Sequence, residues 1–130
     1  MCYYIVNKND FYDFYNTIDL VLMTTPYGGC TTLFDALYMG VPAISYKGKT
    51  IADRYGYSFL NMLDVPELCV ETHDEYVDKV TELCNSKELL THYHKLILKN
   101  IHNHPMTNPE IFVQGFEECC LNLMGSDNLC

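Results

Sequence analysis

The sequence predicts an α/β fold with a short parallel sheet and a helix-rich C-terminal half, and three observations carry that expectation. The stretch IDLVLMTTPYGGCTTLFDALYMGVPAISYKG, residues 18–48, reads as strand, glycine loop, helix and strand, the order of a βαβ unit. Beyond it, apolar residues recur at helical spacing almost to the end of the chain. With 130 residues, 48% of them hydrophobic and 13% aromatic, the chain has the composition of one folded domain with a real core.

Taken in order, residues 3–6 form a short apolar segment that reads as the end of a strand. Asn9 or Asp10 is placed to cap a helix over residues 11–16, with Phe11, Phe14 and Tyr15 on its inner side. Residues 18–23, rich in β-branched and long aliphatic side chains, read as a buried strand. Pro26, Gly28 and Gly29 break the chain, and Thr31 or Thr32 caps a helix over residues 33–39 with Leu33, Phe34, Ala36 and Leu37 at helical spacing. Gly40 suits the position just past that helix and Pro42 forbids its continuation, so residues 41–45 begin a second strand. Thr50 opens a helix through Ile51, Ala52, Tyr55 and Phe59 that ends near Leu63. A turn and a brief apolar piece, residues 68–70, follow. Thr72 or Asp74 starts a helix carrying Tyr76, Val77, Val80 and Leu83, and Ser86 caps another over residues 87–103 with Leu89, Leu90, Tyr93, Leu96 and Ile97 as its buried stripe. Residues 105–109 read as a loop, Pro109 as part of the first turn of a last helix over residues 110–123, and residues 125–130 as a frayed tail.

Three short strands are few for a doubly wound sheet, which has five or six. The sheet therefore reads as truncated, with much of its surface uncovered by two helices. The expected organisation is one domain over residues 1–124, the C-terminal portion of something larger or a chain that pairs with another, and a flexible tail over residues 125–130.

The formal net charge of −9, from 17 acids against 8 bases, would repel nucleic acid and anionic membrane, so neither is an expected partner. The apolar runs are too short to span a bilayer, and residues 1–9 lack a signal-peptide pattern, which makes cytoplasmic the default location. Seven cysteines, an odd number without zinc-site spacing or a Cys-x-x-Cys pair, read as reduced thiols that mostly fill the core. His92 with His94, and His102 with His104, resemble metal pairs, but residues two apart on a helix do not share a face. The eleven tyrosines mostly fall on the apolar sides of helices and read as core. Arg54, the lone arginine, suits an ion pair with a nearby acid as well as a ligand contact. The acidic stretch over residues 71–78 reads as a solvated helix start favoured by the dipole.

The chemistry of a βαβ unit sits at its first turn. Free backbone N–H groups and the positive end of the helix dipole favour an anion there. Glycines let backbone approach a phosphate, threonine hydroxyls add donors, and an acid one turn into the helix, here Asp35, accepts from sugar hydroxyls. The same glycine loop also serves any α/β protein as a plain strand-to-helix turn.

The run TPYGGCTTLFDALYMGVPAISYKGKTIADRYGYSFLNMLDVPELCVETHDEYV resembles the C-terminal catalytic half of the O-linked N-acetylglucosamine transferases and their SPINDLY-type relatives. Pro26, Tyr27, Gly29, Thr31, Thr32, Asp35, Ala36, Leu37, Tyr38, Gly40, Val41, Pro42, Gly48, Arg54, Ser58 and Leu60 supply the family pattern in order, and the resemblance extends weakly to Met124. It implies a partial Rossmann-like fold, the C-terminal domain of the GT-B architecture. The implied activity is transfer of a sugar, N-acetylglucosamine, from UDP to protein Ser or Thr. It further implies that the loop Gly29–Cys30 with Thr31 and Thr32 holds the pyrophosphate of UDP, that Asp35 and Lys8 hold the ribose, and that Phe11 stands near the uracil. Animal members carry histidine where this chain has Cys30, and a thiol is a poor substitute for that donor. Cys30 also suits a helix N-terminus that lowers a thiol pKa, although a small packing residue is the simpler reading. The family's upstream domain, with its cleft histidine and the lysine that supports the leaving diphosphate, precedes the matched region, so no catalytic residue is assigned within this chain. The expected partners are a UDP-sugar, a protein acceptor and that upstream domain or another chain, with no further cofactor and no metal. The alternatives are a non-catalytic remnant or accessory chain, or a GT-B transferase with another sugar or acceptor.

Overall fold

The computed structural model describes residues 7–125, without the side chains of Lys8 and Asn9. The strand expected over residues 3–6 and most of the expected tail lie outside the described residues. Six α-helices and three strands follow one another: α1 (Lys8–Tyr15), β1 (Val21–Leu22), α2 (Thr31–Tyr38), β2 (Ala43–Tyr46), α3 (Tyr55–Met62), β3 (Cys69–Val70), α4 (His73–Cys84), α5 (Lys87–Asn103) and α6 (Pro109–Gly125). Short 3-10 turns, Ala52–Arg54, Pro66–Leu68 and Pro105–Thr107, lead into α3, β3 and α6. The strands form one parallel sheet in the order β1-β2-β3, with Val21 opposite Ala43 and Ser45 opposite Cys69. Parallel neighbours need crossover connections, and α2 and α3 supply them.

Side chains that satisfy the first backbone N–H groups decide where most helices begin. Asn7, not Asn9 or Asp10, caps α1 by accepting from the Asp10 N–H at 3.0 Å. Thr72 and Glu75 form a reciprocal capping box at α4, and Ser86 accepts from the Leu89 N–H at α5. Thr50 accepts from the Asp53 N–H while donating to the Asp53 carboxylate, so it opens the 3-10 turn ahead of α3 rather than the α-helix itself. Asn108 accepts from the Glu110 and Ile111 N–H groups at the start of α6.

β1 is shorter than the expected strand because the Ile18 N–H is still engaged by Tyr15 O in the turn that closes α1. The ladder then runs from the Val21 N–H donating to Pro42 O to the Met23 N–H donating to Ile44 O. The core gathers Leu33 and Leu37 of α2, Ala43 and Ile44 of β2, Leu60 and Leu63 around the end of α3, Leu83 of α4, and Tyr93, Ile97 and Ile101 of α5. Burying each such large apolar side chain contributes on the order of 1.5–3 kcal/mol. A smaller cluster joins Tyr15, Ala36 and Val41, with Phe11 packed against it. α3 lies directly on β2, where Gly56 leaves room for the buried Ser45.

Three expectations are corrected. The central strand is covered, with α2, α3 and α4 all in contact with it and Ala43 and Ile44 fully buried, while the exposed part of the sheet is Leu22 on β1. None of the five described cysteines is buried, because Cys84 and Cys119 lie on solvent-facing positions and the others only part-way in. Of the described tyrosines only Tyr15 and Tyr93 are buried; Tyr76 packs part-way against the core, and the others are half-buried or exposed.

Candidate functional site

The sheet is parallel, so all its strands deliver their following loops to one edge. β1 ends at Leu22 and runs into the loop that carries the cis Thr25–Pro26 bond, Gly28, Gly29 and Cys30 before α2 begins. Thr31 and Thr32 are the first two residues of α2, not its cap; Cys30 occupies the cap position and makes no side-chain cap hydrogen bond. A thiol is a weak acceptor, so the N–H groups of this first turn keep no side-chain acceptor of the kind that α1, α4, α5 and α6 have. Thr31 and Thr32 are exposed, and Asp35 lies one turn further in, half-buried. A Cβ on Gly29 would stand 2.9 Å from the Thr32 hydroxyl oxygen, so glycine is what leaves that hydroxyl open.

The far end of α2 is locked. Gly40 takes φ +81, its N–H donates to Leu37 O at 2.9 Å, and the Val41 N–H donates to Ala36 O at 2.9 Å, the pair of bonds of a Schellman closure. The open N-terminus is therefore held by a short helix fixed at its other end and buried along Leu33, Ala36 and Leu37.

Two tyrosines that the sequence reading assigned to packing secure the loop. The Tyr15 hydroxyl donates to Thr32 O at 3.3 Å, tying α1 to the first turn of α2. Burial, then the nearby Asp35 carboxylate and Tyr12, push the Tyr15 pKa up, so it stays a donor. The Tyr76 hydroxyl donates to Met23 O at 3.0 Å and pins the end of β1 to α4. The signal for Tyr15 was its place four residues after Phe11 on one helical face; nothing local marked Tyr76, whose partner lies 53 residues away.

Of the expected site residues, the structure brings Gly29, Cys30, Thr31, Thr32 and Asp35 together on one loop and helix start, tied to α1 by Tyr15. Phe11 lies on α1 with edge contacts to Tyr12 at 5.5 Å and Tyr15 at 5.3 Å, half-buried rather than free in a cleft. Lys8 begins α1, and its side chain lies outside the described residues. A cavity of about 310 Å³ opens between α1 and the end of β1, lined by Phe14, Tyr15, Val21, Thr24, Gly29 and Thr32. Among the described residues no group of three or more His, Cys, Asp or Glu is placed to hold a metal ion, and no helix is long and apolar enough to cross a membrane. His104 instead accepts from the Met106 N–H, and His102 meets the edge of Tyr38.

A parallel sheet with an uncapped helix start at its carboxyl edge is an α/β unit of the Rossmann-like type. The chain belongs to glycosyl transferase family 41, whose family model matches residues 5–116. It is 32% identical over 110 residues to a probable UDP-N-acetylglucosamine–peptide N-acetylglucosaminyltransferase SPINDLY of Hordeum vulgare, covering 85% of this chain and 12% of that protein. It is 33% identical over 89 residues to a UDP-N-acetylglucosamine–peptide N-acetylglucosaminyltransferase of Giardia intestinalis, covering 68% of this chain and 6% of that one. Among solved structures it is similar to a K341M mutant of the Thermobaculum terrenum O-GlcNAc transferase, with a TM-score of 0.80 and 31% identity over 88% of this chain and 22% of the other. The fold is thus a partial Rossmann-like domain of the GT-B kind, and the chain spans about an eighth of the length of the plant relatives it matches.

Proposed function

We propose that the chain supplies the donor-binding part of a transferase that moves N-acetylglucosamine from UDP to a Ser or Thr hydroxyl of a protein. The observation that carries this reading is the uncapped start of α2 behind Gly29, with Thr31 and Thr32 exposed and Asp35 one turn in, in a chain of this family. The first-turn N–H groups and the threonine hydroxyls then receive the diphosphate, and Asp35 accepts from the ribose hydroxyls. Lys8 is assigned to the ribose as well, and Phe11 to the side of the uracil. As the sugar leaves, negative charge grows on the diphosphate, and donors fixed in advance stabilise that charge more than they stabilise the ground state. The acceptor side and the group that removes its proton belong to the upstream domain, which this chain needs as a partner. Reduced, unpaired cysteines fit a cytoplasmic place of action.

Calorimetric titration with UDP and with UMP tests the site. UDP is expected to bind about tenfold or more tightly than UMP, since only the diphosphate reaches both threonines and the helix start, and a Thr31→Val, Thr32→Val double variant is expected to erase that difference. No heat with UDP, the outcome for a non-catalytic remnant, or a UDP affinity unchanged in the double variant, would overturn the assignment.

A further inference from the structure

A second cleft opens at the same edge of the sheet. β1 and β2 run parallel, so the segment after Tyr46 leaves the sheet beside the loop that leads to α2. There, Lys47, Lys49 and Arg54 line a cavity of about 540 Å³ together with Asp53 and Glu71. These are three of the eight bases in a chain of net charge −9. Lys47 Nζ lies 4.5 Å and Arg54 Cζ 5.7 Å from the centre of one ring, that of Tyr57. The face of the ring attracts each cation, and the two cations repel each other. Glu71 Oε1 meets Lys47 Nζ at 3.1 Å, and the Asp53 carboxylate accepts from the Thr50 hydroxyl at 2.8 Å rather than from a cation. Three bases against two acids leave the cleft one positive charge in excess, and Arg54 and Lys49 have no ion pair among the described residues.

We propose that this cleft binds an acidic side chain of the acceptor polypeptide, seating Asp or Glu residues near the hydroxyl that is modified. The guanidinium of Arg54 is suited to the planar, two-oxygen geometry of a carboxylate. A short acidic segment meets only the local positive patch, whereas an extended polyanion such as nucleic acid or an anionic bilayer meets the whole negative molecule and is repelled. That the bound polypeptide is an acceptor rests on the proposed transfer; that the cleft takes a carboxylate does not.

Fluorescence polarisation with a labelled peptide containing serine flanked by Asp and Glu, compared with the same peptide carrying Asn and Gln, tests the site without any UDP. The acidic peptide is expected to bind more tightly, by about threefold for each carboxylate seated. Arg54→Gln with Lys49→Gln should remove the preference, and Glu71→Gln, which frees Lys47, should strengthen it. Glu117→Gln, the same change of net charge on α6, should leave it as it was. Equal binding of the two peptides, a preference that survives the Arg54 and Lys49 changes, an equal gain from Glu117→Gln, or tighter association with phosphatidylserine vesicles than with the acidic peptide would each overturn the proposal. Failure of UDP to bind bears on the donor site alone.

Discussion

Gly40 and Asp64 do the same job at the ends of successive helices with different chemistry. Both have positive φ, +81 and 57, and both close a Schellman pair, the second through the Asp64 N–H to Asn61 O and the Val65 N–H to Leu60 O. Gly40 announces itself in the sequence, since only glycine adopts that backbone without strain and Pro42 follows. Asp64 does not, because aspartate is tolerated there rather than demanded, and the end of α3 is also held by Asn100 of α5, whose amide donates to Leu63 O at 2.7 Å. A Cβ on Gly40 would stand 2.5 Å from Leu98 Cγ on top of the backbone strain. Gly40→Ala is therefore expected to destabilise by about 2 kcal/mol or more, read as a lower urea midpoint at unchanged slope. The open N-terminus of α2 depends on that closure.

Helix starts show where local chemistry is legible and where it misleads. Ser86 and Thr72 are capping residues in sequence and in structure, because a hydroxyl three residues before a free N–H reaches it whatever the rest of the chain does. Thr31 and Thr32 also carry hydroxyls and are not caps; the helix begins at Thr31, two residues earlier than expected, and leaves both residues exposed. That difference separates two variants. Thr72→Ala breaks the capping box and should cost about 1 kcal/mol of stability without touching UDP binding. Thr31→Ala puts the best helix former at a first helical position and should leave thermal unfolding unchanged within about 0.5 kcal/mol while weakening UDP. The pattern of glycine loop, threonines and acid marks the candidate site in the sequence, and the helix geometry shows that the two threonines start α2 and stay exposed instead of capping it.

At the scale of the molecule, the chain reads as two kinds of apolar surface. The stripe of α5 is covered: Ile97 and Ile101 are fully buried in the core, on a helix packed against α2 and α4. The apolar residues of α6, among them Phe112, Phe116 and Leu123, are less confined to one face than those of α5 and are exposed, with no residue of the helix buried among those described. Ile97→Ala is expected to cost about 2–5 kcal/mol in chemical unfolding, and Phe116→Ala less than about 0.5 kcal/mol. Equal losses would mean that α6 packs on the body of the chain after all. By itself the sequence determined the order of the main elements from α1 onward, the α/β class, the glycine loop and helix start, and the family pattern, because these depend on residues a few positions apart whose caps, turns and periodicity act locally. Only the tertiary structure decided that β2 is covered on both sides, that Tyr15 and Tyr76 hold the loop, that Lys47 and Arg54 share one ring, and that the apolar residues of α5 are core while those of α6 are exposed. Those outcomes rest on contacts between residues far apart in the chain, and no spacing within a single helix records which surface another element will meet.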